Sequence, residues 1–288
     1  FFADTEERIN VALLLDTSLS TRLVLDDIKD AAKDFVNQLR SQDKAMIVTF
    51  DNDETVLCEL TANRRSLERA IDRAEIGERG GTKLRDAVYD VTREEFRNVK
   101  GRKAIVVLTD GKDMGSEVSE QRLLNSAAEA DTLVYTVFYL SGPAGAMRRD
   151  PRDRGGWGDP RTRRRGGIFN PFPRFPLQPQ GRGGYDPRQQ RRGGRMEERN
   201  EDAIEFLQRL ADASAGRYYN SEVADLRSTF GQIIEELRHQ YRLGFYPQDR
   251  QPGQSTNSVH SLRVEVARRD VVVRSRRNYR LPGKPQSE

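Results

Sequence analysis

Residues 9–20 read INVALLLDTSLS, a continuous apolar run that ends in a group of acid and hydroxyl side chains. A strand that is covered on both faces carries such a run, and strands of this kind occur mostly in parallel sheets. Asp16, Ser18 and Ser20 then fall where the strand stops. In an open α/β sheet, ligands bind at the carboxyl ends of the strands. This stretch therefore predicts the fold class and one part of a binding site.

Strand-like and helix-like patterns alternate after this run. Further strands are predicted at residues 45–50, 55–60, 104–108 and 133–140. Apolar residues at helical spacing predict helices at 24–39, 67–74, 84–96 and 117–130. The turn-like residues 51–53 would send 55–60 back antiparallel at the sheet edge. The sequence thus predicts an α/β fold with a Rossmann-like, doubly wound, mostly parallel sheet and one antiparallel edge strand.

Residues 141–199 interrupt the pattern and are predicted to form a disordered insert rich in Arg, Gly and Pro. Residues 141–200 carry a net charge of +9, so the remainder of the chain is at −5 and the whole at +4. The insert has few aliphatic side chains to offset its ordering entropy. Periodicity resumes near 200, with helices predicted at 204–211, stopping at Gly216, and at 226–241. We therefore assign 1–140 and 200–240 to one domain. The alternating pattern of 241–288 predicts a C-terminal antiparallel β extension.

Composition excludes several classes of protein. A single cysteine, Cys58, excludes an intrachain disulfide framework and a cysteine zinc site, and two histidines argue against a His-rich metal site. No apolar run approaches the roughly 18 residues of a membrane-spanning helix. The chain begins with Phe1 and has no signal peptide, which we interpret as a trimmed fragment.

Three loops are expected at the carboxyl edge of the predicted sheet. They are DTSLS at 16–20, GGT at 80–82 and TDG at 109–111. Together they supply two carboxylates and three hydroxyls, from Asp16, Ser18, Ser20, Thr82 and Asp110. Hard oxygen donors of this kind suit Mg²⁺, Mn²⁺ or Ca²⁺ better than zinc.

These motifs, at these strand ends, resemble the von Willebrand factor A (VWFA) domain over about residues 9–140 and 200–240. The resemblance implies that a metal-ion-dependent adhesion site (MIDAS) is formed by Asp16, Ser18, Ser20, Thr82 and Asp110. The stretches GGTKLRDAVYD, GRKAIVVLTDGKD, FGQIIEELRHQYRLGFYP and VVVRSRRNYR also resemble VWFA-related proteins of Acidobacteria. Leu19 stands where many relatives have Gly, but it is not a ligand position, so metal binding is expected to survive.

The resemblance implies divalent-cation-dependent adhesion or protein binding. Mg²⁺ is the expected ion, with Mn²⁺ or Ca²⁺ as alternatives. The serine hydroxyls would bind the ion directly and at least one Asp through water, which leaves an open position for an Asp or Glu carboxylate of a protein partner. No bond is made or broken, so the protein is expected not to be an enzyme. The family also implies an extracytoplasmic bacterial setting, periplasmic or secreted.

Enzyme motifs are missing from the sequence. It has no G-x-S-x-G elbow and no G-x-x-x-x-G-K-[ST] phosphate loop. Aspartyl phosphotransferases of the D-x-D type need a second carboxylate two residues after the first, and Ser18 occupies that place.

Other interpretations stay open. Ser18 and Ser20 could cap the following helix, and Asp110 with Gly111 could form an ordinary turn. Asp86 and Asp113 could support the site or be solvated surface carboxylates. The Arg/Gly-rich insert, with interspersed aromatic residues, could bind single-stranded nucleic acid or another polyanion. A structural scaffold with a vestigial metal site is a further alternative.

Overall fold

The computed structural model describes residues 2–3, 7–140, 187–240, 242–243, 259–267, 273–276 and 278–280. Its strands are β1 (Phe2–Ala3), β2 (Ile9–Asp16), β3 (Lys44–Phe50), β4 (Glu54–Thr61), β5 (Arg102–Thr109), β6 (Leu133–Phe138), β7 (Tyr218–Asn220), β8 (Arg242–Leu243), β9 (Val259–Ser261) and β10 (Asn278–Arg280). Its α-helices are α1 (Leu25–Gln38), α2 (Arg64–Asp72), α3 (Leu84–Asp90), α4 (Glu120–Glu129), α5 (Pro187–Ser214) and α6 (Leu226–Arg238).

A six-stranded sheet in the order β4-β3-β2-β5-β6-β7 carries the fold. Only β4 is antiparallel to its neighbour, and the other pairs run parallel. The predicted Rossmann-like class is therefore confirmed, including the antiparallel edge strand. From β2 the chain proceeds to β3 on one side and later to β5 on the other. Loops that diverge at such a switch point leave a crevice at the carboxyl ends of the two strands.

Helices cover both faces of the sheet, which explains why every residue of β2 is buried. On one face lie α1, α2 and α6, where the rings of Phe35 and Phe230 have centroids 5.0 Å apart. On the other face lie α3, α4 and α5, with Leu84, Leu123 and Leu207 in the core. The continuous apolar run of β2 is the sequence signature of this two-sided cover.

The helix predicted at 84–96 is interrupted. After α3, residues Val91–Glu95 form a π-helical turn, in which the amide of Phe96 donates to the carbonyl of Val91 at 3.0 Å. Val91 and Phe96 are both buried, although they lie five residues apart. An α-helix, with 3.6 residues per turn, would turn one of them away from the core, so the wider turn keeps both side chains inside.

Helix α5 begins at Pro187, earlier than the expected restart near residue 200 and within the predicted insert. Residues 188–199 are mostly Arg, Gln and Glu, which favour helix without producing an apolar stripe. Periodicity therefore could not reveal this part of the helix. Residues 141–186, and with them most of the predicted insert, lie outside the described residues.

Within the part of the C-terminal segment that the structure describes, the strands cover only a fraction of the predicted ranges. β8 pairs with β1, and β9 pairs with β10, in two separate antiparallel ladders. Residues 262–265 alternate between half-buried and exposed side chains, and Val266, where the pattern predicted an inward side chain, is exposed; none of them belongs to a strand among the described residues. An alternating sequence pattern indicates which side chains face the protein. A β-strand also requires a neighbouring strand in register with which its backbone can form hydrogen bonds. No helix in the described ranges is long and apolar enough to cross a bilayer.

Glu54, the first residue of β4, lies in an acidic environment beside α3 and the π turn. Burial, and after it the negative charges of Asp90, Glu95, Glu94 and Asp86, together raise the pKa of Glu54 from 4.5 to about 8. The fold therefore favours the protonated acid, so the wild type loses stability as the pH rises from about 4.5 towards about 8.

Glu54→Gln should consequently stabilise the protein at pH 8 or above and have little effect near pH 4.5. The group is partly exposed, so solvent screening reduces the gain at high pH to about 1–2 kcal/mol. Thermal unfolding of both proteins at the two pH values measures the difference. Glu59→Gln, on an exposed residue of the same strand, is the control. An equal effect of Glu54→Gln at both pH values would contradict the assignment.

Candidate metal centre

Asp16, the last residue of β2, is fully buried at the switch point. Its carboxylate accepts two hydrogen bonds, from the amide of Ser18 to Oδ1 at 3.0 Å and from the hydroxyl of Thr109 to Oδ2 at 2.6 Å. Thr109 is the last residue of β5, so this bond ties the carboxyl ends of the two central parallel strands together. Asp16 is thereby held in one orientation.

The hydroxyls of Ser18 and Ser20 lie side by side, with Oγ atoms 3.0 Å apart. Residues Leu19–Thr21 form one turn of 3₁₀ helix, and neither this turn nor α1 has a side-chain cap. The capping interpretation of Ser18 and Ser20 is therefore not supported. The hydroxyl of Thr21 holds the loop instead, donating to the carbonyl oxygens of Asp16 and Ser18. Both serine hydroxyls remain at the same edge as Asp16.

Thr82 is buried in the loop before α3, and its backbone is paired with the loop after β5. The amide of Thr82 donates to the carbonyl of Met114 at 3.1 Å, and the amide of Met114 donates back at 2.8 Å. The Thr82 hydroxyl donates to the carbonyl of Gly81 at 2.8 Å. The next amide, of Lys83, bonds to the carbonyl of Asp51, whose carboxylate accepts from the hydroxyl of Thr17. These bonds fix the loop against both neighbouring loops.

Asp110 follows β5 directly and is buried, but it has a charged partner. Lys112 Nζ lies 2.5 Å from Asp110 Oδ2. Gly111 between them has a φ of +77°, and a Cβ at this position would come within 2.8 Å of the Cβ of Ala203. The Asp110–Gly111 turn thus needs glycine for both conformation and space. It directs a carboxylate and an ammonium group to the edge of the sheet.

The negative charge of Asp110 affects the Asp16 carboxyl. Burial, and after it the negative charge of Asp110, outweigh the hydrogen bonds from Ser18 and Thr109 and raise the pKa of Asp16 from 3.8 to about 6. Tyr139 is fully buried just after β6. Burial, and after it the negative charges of Asp16 and Asp110, raise the pKa of its phenol. The Tyr139 hydroxyl is buried without a hydrogen-bond partner in the described structure. The site therefore concentrates negative charge in a place with little water.

Asp86 and Asp113 serve a different purpose. Asp86 accepts hydrogen bonds from the amides of Glu117 and Val118, and Asp113 binds the amide and guanidinium of Arg85. Both join the start of α3 to the loop after β5. They support the position of Thr82 through the backbone, and neither has a described contact with the five predicted ligand residues.

Sequence reasoning did not identify three residues at this site: Thr109, Lys112 and Tyr139. Thr109 belongs to the TDG motif itself. Its side chain is buried at the end of β5, where its hydroxyl donates to Asp16. Lys112 could have been noticed as a cation two residues after Asp110. Tyr139 lies in the apolar stretch 133–140, which was predicted as a strand, so the sequence held no signal for a role at the site.

The residues present fit a divalent cation with oxygen ligands. The described residues contain no group of three or more His, Cys, Asp or Glu side chains that could hold a metal, so any site here depends on hydroxyls as well as on its two carboxylates. A buried carboxylate with a raised pKa next to a second carboxylate is an arrangement that a cation would relieve. The donors are hard oxygens, the ligands of Mg²⁺ and Ca²⁺.

Comparison with known proteins shows which family model and which solved structures the chain is similar to. Residues 11–112 match the family model of the von Willebrand factor type A domain. No curated protein matches the chain in sequence. Among solved structures, a von Willebrand factor type A protein from Catenulispora acidiphila is similar with a TM-score of 0.52 and 17% identity, over 81% of this chain and 43% of that one.

Two further structures share the fold. Proximal thread matrix protein 1 from the mussel byssus matches with a TM-score of 0.53 and 14% identity, over 82% of this chain and 47% of that chain. Another structure of that protein is described as having a zinc-occupied MIDAS motif. The von Willebrand factor domain of the type V pili tip protein from Porphyromonas gingivalis matches with a TM-score of 0.53 and 10% identity, over 85% and 100% of the two chains. The chain spans about half or less of the mussel and Catenulispora proteins.

Proposed function

The chain carries a von Willebrand factor type A domain, and from this premise we propose that it binds a protein partner through a divalent cation held by Asp16, Ser18, Ser20, Thr82 and Asp110. The observation that carries the proposal is the buried carboxylate of Asp16, fixed by Ser18 and Thr109 beside Asp110 and the paired hydroxyls of Ser18 and Ser20. A structural role alone would not require two adjacent serine hydroxyls at the same sheet edge as two buried carboxylates.

When bound, the cation would supply an electrophilic position that an Asp or Glu carboxylate of the partner can fill. The chain's own residues provide the framework. Thr109 and the amide of Ser18 hold Asp16 in place, the Thr21 hydroxyl shapes the serine loop, and the Thr82–Met114 pairing fixes the third loop. Two carboxylates and three neutral hydroxyls would leave a divalent ion without excess negative charge. The site would therefore still attract an incoming carboxylate.

We infer that Mg²⁺ is the physiological ion, with Mn²⁺ or Ca²⁺ as alternatives, because the donors are carboxylate and hydroxyl oxygens. The zinc described in the mussel protein makes zinc a further ion to test. We infer an extracytoplasmic setting and a function without bond making. A fold shared with a pilus tip domain and a byssus matrix protein supports adhesion.

The test is calorimetric titration of Mg²⁺, Mn²⁺, Ca²⁺ and Zn²⁺ into the chain and into Thr82→Val. One saturable site is expected in the wild type and a loss of about tenfold or more in affinity in the variant, since one oxygen ligand is removed. Thr92→Val is the matched control, because Thr92 is also buried but donates to the carbonyl of Val88 in α3. Equal affinity in all three proteins would refute the proposed site.

Acetate tests the open position. If a carboxylate binds only the cation-loaded protein, acetate must tighten the apparent affinity for Mg²⁺ by the same factor by which Mg²⁺ promotes acetate binding. Titration of Mg²⁺ in acetate and in chloride buffer of equal ionic strength measures this. Free acetate complexes some Mg²⁺ and thus acts in the opposite direction. An unchanged or weaker apparent affinity would speak against carboxylate capture.

Lys112 should oppose cation binding, because its ammonium group forms an ion pair with the Asp110 carboxylate, which is a proposed ligand of the cation. Lys112→Met is expected to bind Mg²⁺ about tenfold more tightly and to be less stable in EDTA, since Asp110 would be buried without its counter-charge. Calorimetry and thermal unfolding measure the two effects. Lys83→Met removes the same charge from a neighbouring loop while the Lys112–Asp110 pair stays. Equal gains in affinity for the two variants would mean that only general electrostatics is involved.

A further inference from the structure

Large exposed apolar side chains are concentrated at one edge of the sheet. In the described residues they are Leu19, Leu23, Met114 and Leu140, at 50, 55, 58 and 50% exposure, and Val266 and Val273, at 48 and 40%. The first four follow the carboxyl ends of β2, β5 and β6, whereas the two valines belong to the C-terminal segment. Single exposed apolar residues are normal, but several on the loops at one edge of a sheet indicate an interaction surface.

Three of these side chains are attached to the predicted ligand loops. Leu19 lies between Ser18 and Ser20 in the sequence. Met114 is joined to Thr82 by two backbone hydrogen bonds. Leu23 follows the 3₁₀ turn whose Thr21 hydroxyl donates to the carbonyl of Asp16. We call Leu19, Leu23 and Met114 the apolar rim. Met114 thus shares backbone hydrogen bonds with a predicted ligand residue, whereas Leu19 and Leu23 belong to the same loop as Asp16, Ser18 and Ser20.

The charges near the rim define what it can accept. Asp16 and Asp110 are buried, so the negative groups of the site lie below the surface, while Lys112 is partly exposed at the same edge. With a divalent cation in place, the centre of the surface attracts a carboxylate, and the surrounding apolar side chains attract apolar groups. A purely polar acidic segment would leave the rim in contact with water.

Building on the function proposed above, we propose that the apolar rim and the cation site form one recognition surface for a protein segment that presents an Asp or Glu carboxylate flanked by bulky apolar side chains. The carboxylate provides the dependence on the cation, and the apolar neighbours provide selectivity among acidic segments. The half-exposed side chain of Leu19 then contributes to the binding surface.

A phage-displayed library of random peptides, selected on the immobilised full chain in Mg²⁺ and eluted with EDTA, tests this pairing. The eluted pool should be enriched in an Asp or Glu with Leu, Ile, Phe, Met or Trp within one or two positions. Synthetic peptides from the pool should bind the triple variant Leu19→Ser/Leu23→Ser/Met114→Ser about tenfold or more weakly. The variant should keep its Mg²⁺ affinity, which calorimetry checks. Val266→Ser/Val273→Ser, also at exposed apolar residues, is the control and should bind the peptides normally.

The outcomes separate the two proposals. Acidic peptides without apolar neighbours, or undiminished binding to the triple variant, would overturn the role of the apolar rim and leave the cation site intact. Failure to recover any EDTA-eluted acidic peptide, although Mg²⁺ binds, would overturn both carboxylate capture and the rim. Loss of Mg²⁺ binding in the triple variant would show that these residues maintain the ligand loops instead, and would overturn the rim as a contact surface.

Discussion

Asp16→Ala is expected to abolish saturable Mg²⁺ binding, with an affinity loss of at least about 100-fold, and to leave the chain folded. Asp16 is the most buried charged group of the site and joins the loop after β2 to the end of β5 through Ser18 and Thr109. Its removal takes away a charged ligand and the acceptor that orients the Ser18 loop. Side-by-side calorimetry of wild type and variant with Mg²⁺ and Mn²⁺ measures the loss.

Asp16→Asn separates charge from shape in this experiment. The amide has nearly the same volume and can still accept the bond from Ser18, but it removes the repulsion of Asp110 that helps to raise the pKa of Asp16 to about 6. The variant should bind Mg²⁺ poorly and be at least as stable as the wild type in EDTA. Asp113→Asn, at a carboxylate bound to Arg85 and Ser116, should retain Mg²⁺ binding. Full Mg²⁺ affinity in Asp16→Ala would refute the cation site.

Of the substitutions proposed for this protein, Gly216→Ala is expected to lower the free energy of unfolding most, by about 3 kcal/mol or more. Helix α5 ends in a pair of bonds, from the amide of Gly216 to the carbonyl of Ala211 and from that of Ala215 to the carbonyl of Asp212. A Cβ on Gly216 would overlap the carbonyl oxygen of Val134 and lie 2.7 Å from its carbonyl carbon. Because Val134 is on β6, within the sheet, the strand backbone would have to move.

Gly231→Ala is the control for this substitution and should have the opposite sign. Gly231 lies inside α6, and a Cβ there would meet only the Gln38 side chain, at 3.7 Å. Alanine should therefore stabilise the helix by about 0.5–1 kcal/mol. Chemical denaturation of the three proteins measures both changes. If Gly216→Ala were as stable as the wild type, close packing of the α5 terminus on β6 would not be required.

The sequence predicted the sheet well because its strands are buried on both faces. In β2, β3 and β5 the apolar runs are nearly continuous, and each run ends close to where the strand ends. The same argument placed the predicted ligand loops at one edge, because the carboxyl ends of parallel strands share an edge. The pattern could not predict which side chains from different loops contact each other at the site. The hydrogen bond between Thr109 and Asp16 joins residues far apart in sequence. The tyrosine side chain of Tyr139 is apolar except for its hydroxyl, so the sequence pattern does not distinguish it from a core residue.

Local departures had physical reasons that pattern reasoning does not contain. Gly216 was correctly interpreted as a helix stop, but the left-handed residue is Ala215, with a φ of +64°. Glycine is needed one position later, for space beside Val134. The π turn at Val91–Glu95 arises from two buried residues at a spacing that α-helix cannot satisfy. The start of α5 carries no apolar stripe, so only its helix-forming composition could have indicated it.

The predicted ligands come from three loops, 16–20, 80–82 and 109–111, which are brought together only by the assembled sheet. An unfolded chain has no such site, so a bound cation acts as a ligand of the native state and stabilises it by mass action. At a cation concentration of about 100 times Kd, the gain is about 2.7 kcal/mol, a large fraction of the stability of an ordinary domain. Outside a cell, the surrounding divalent ion concentration would then set how long the domain resists proteolysis. The bound metal, like the hydrophobic core, would then contribute to the free energy of unfolding of the domain.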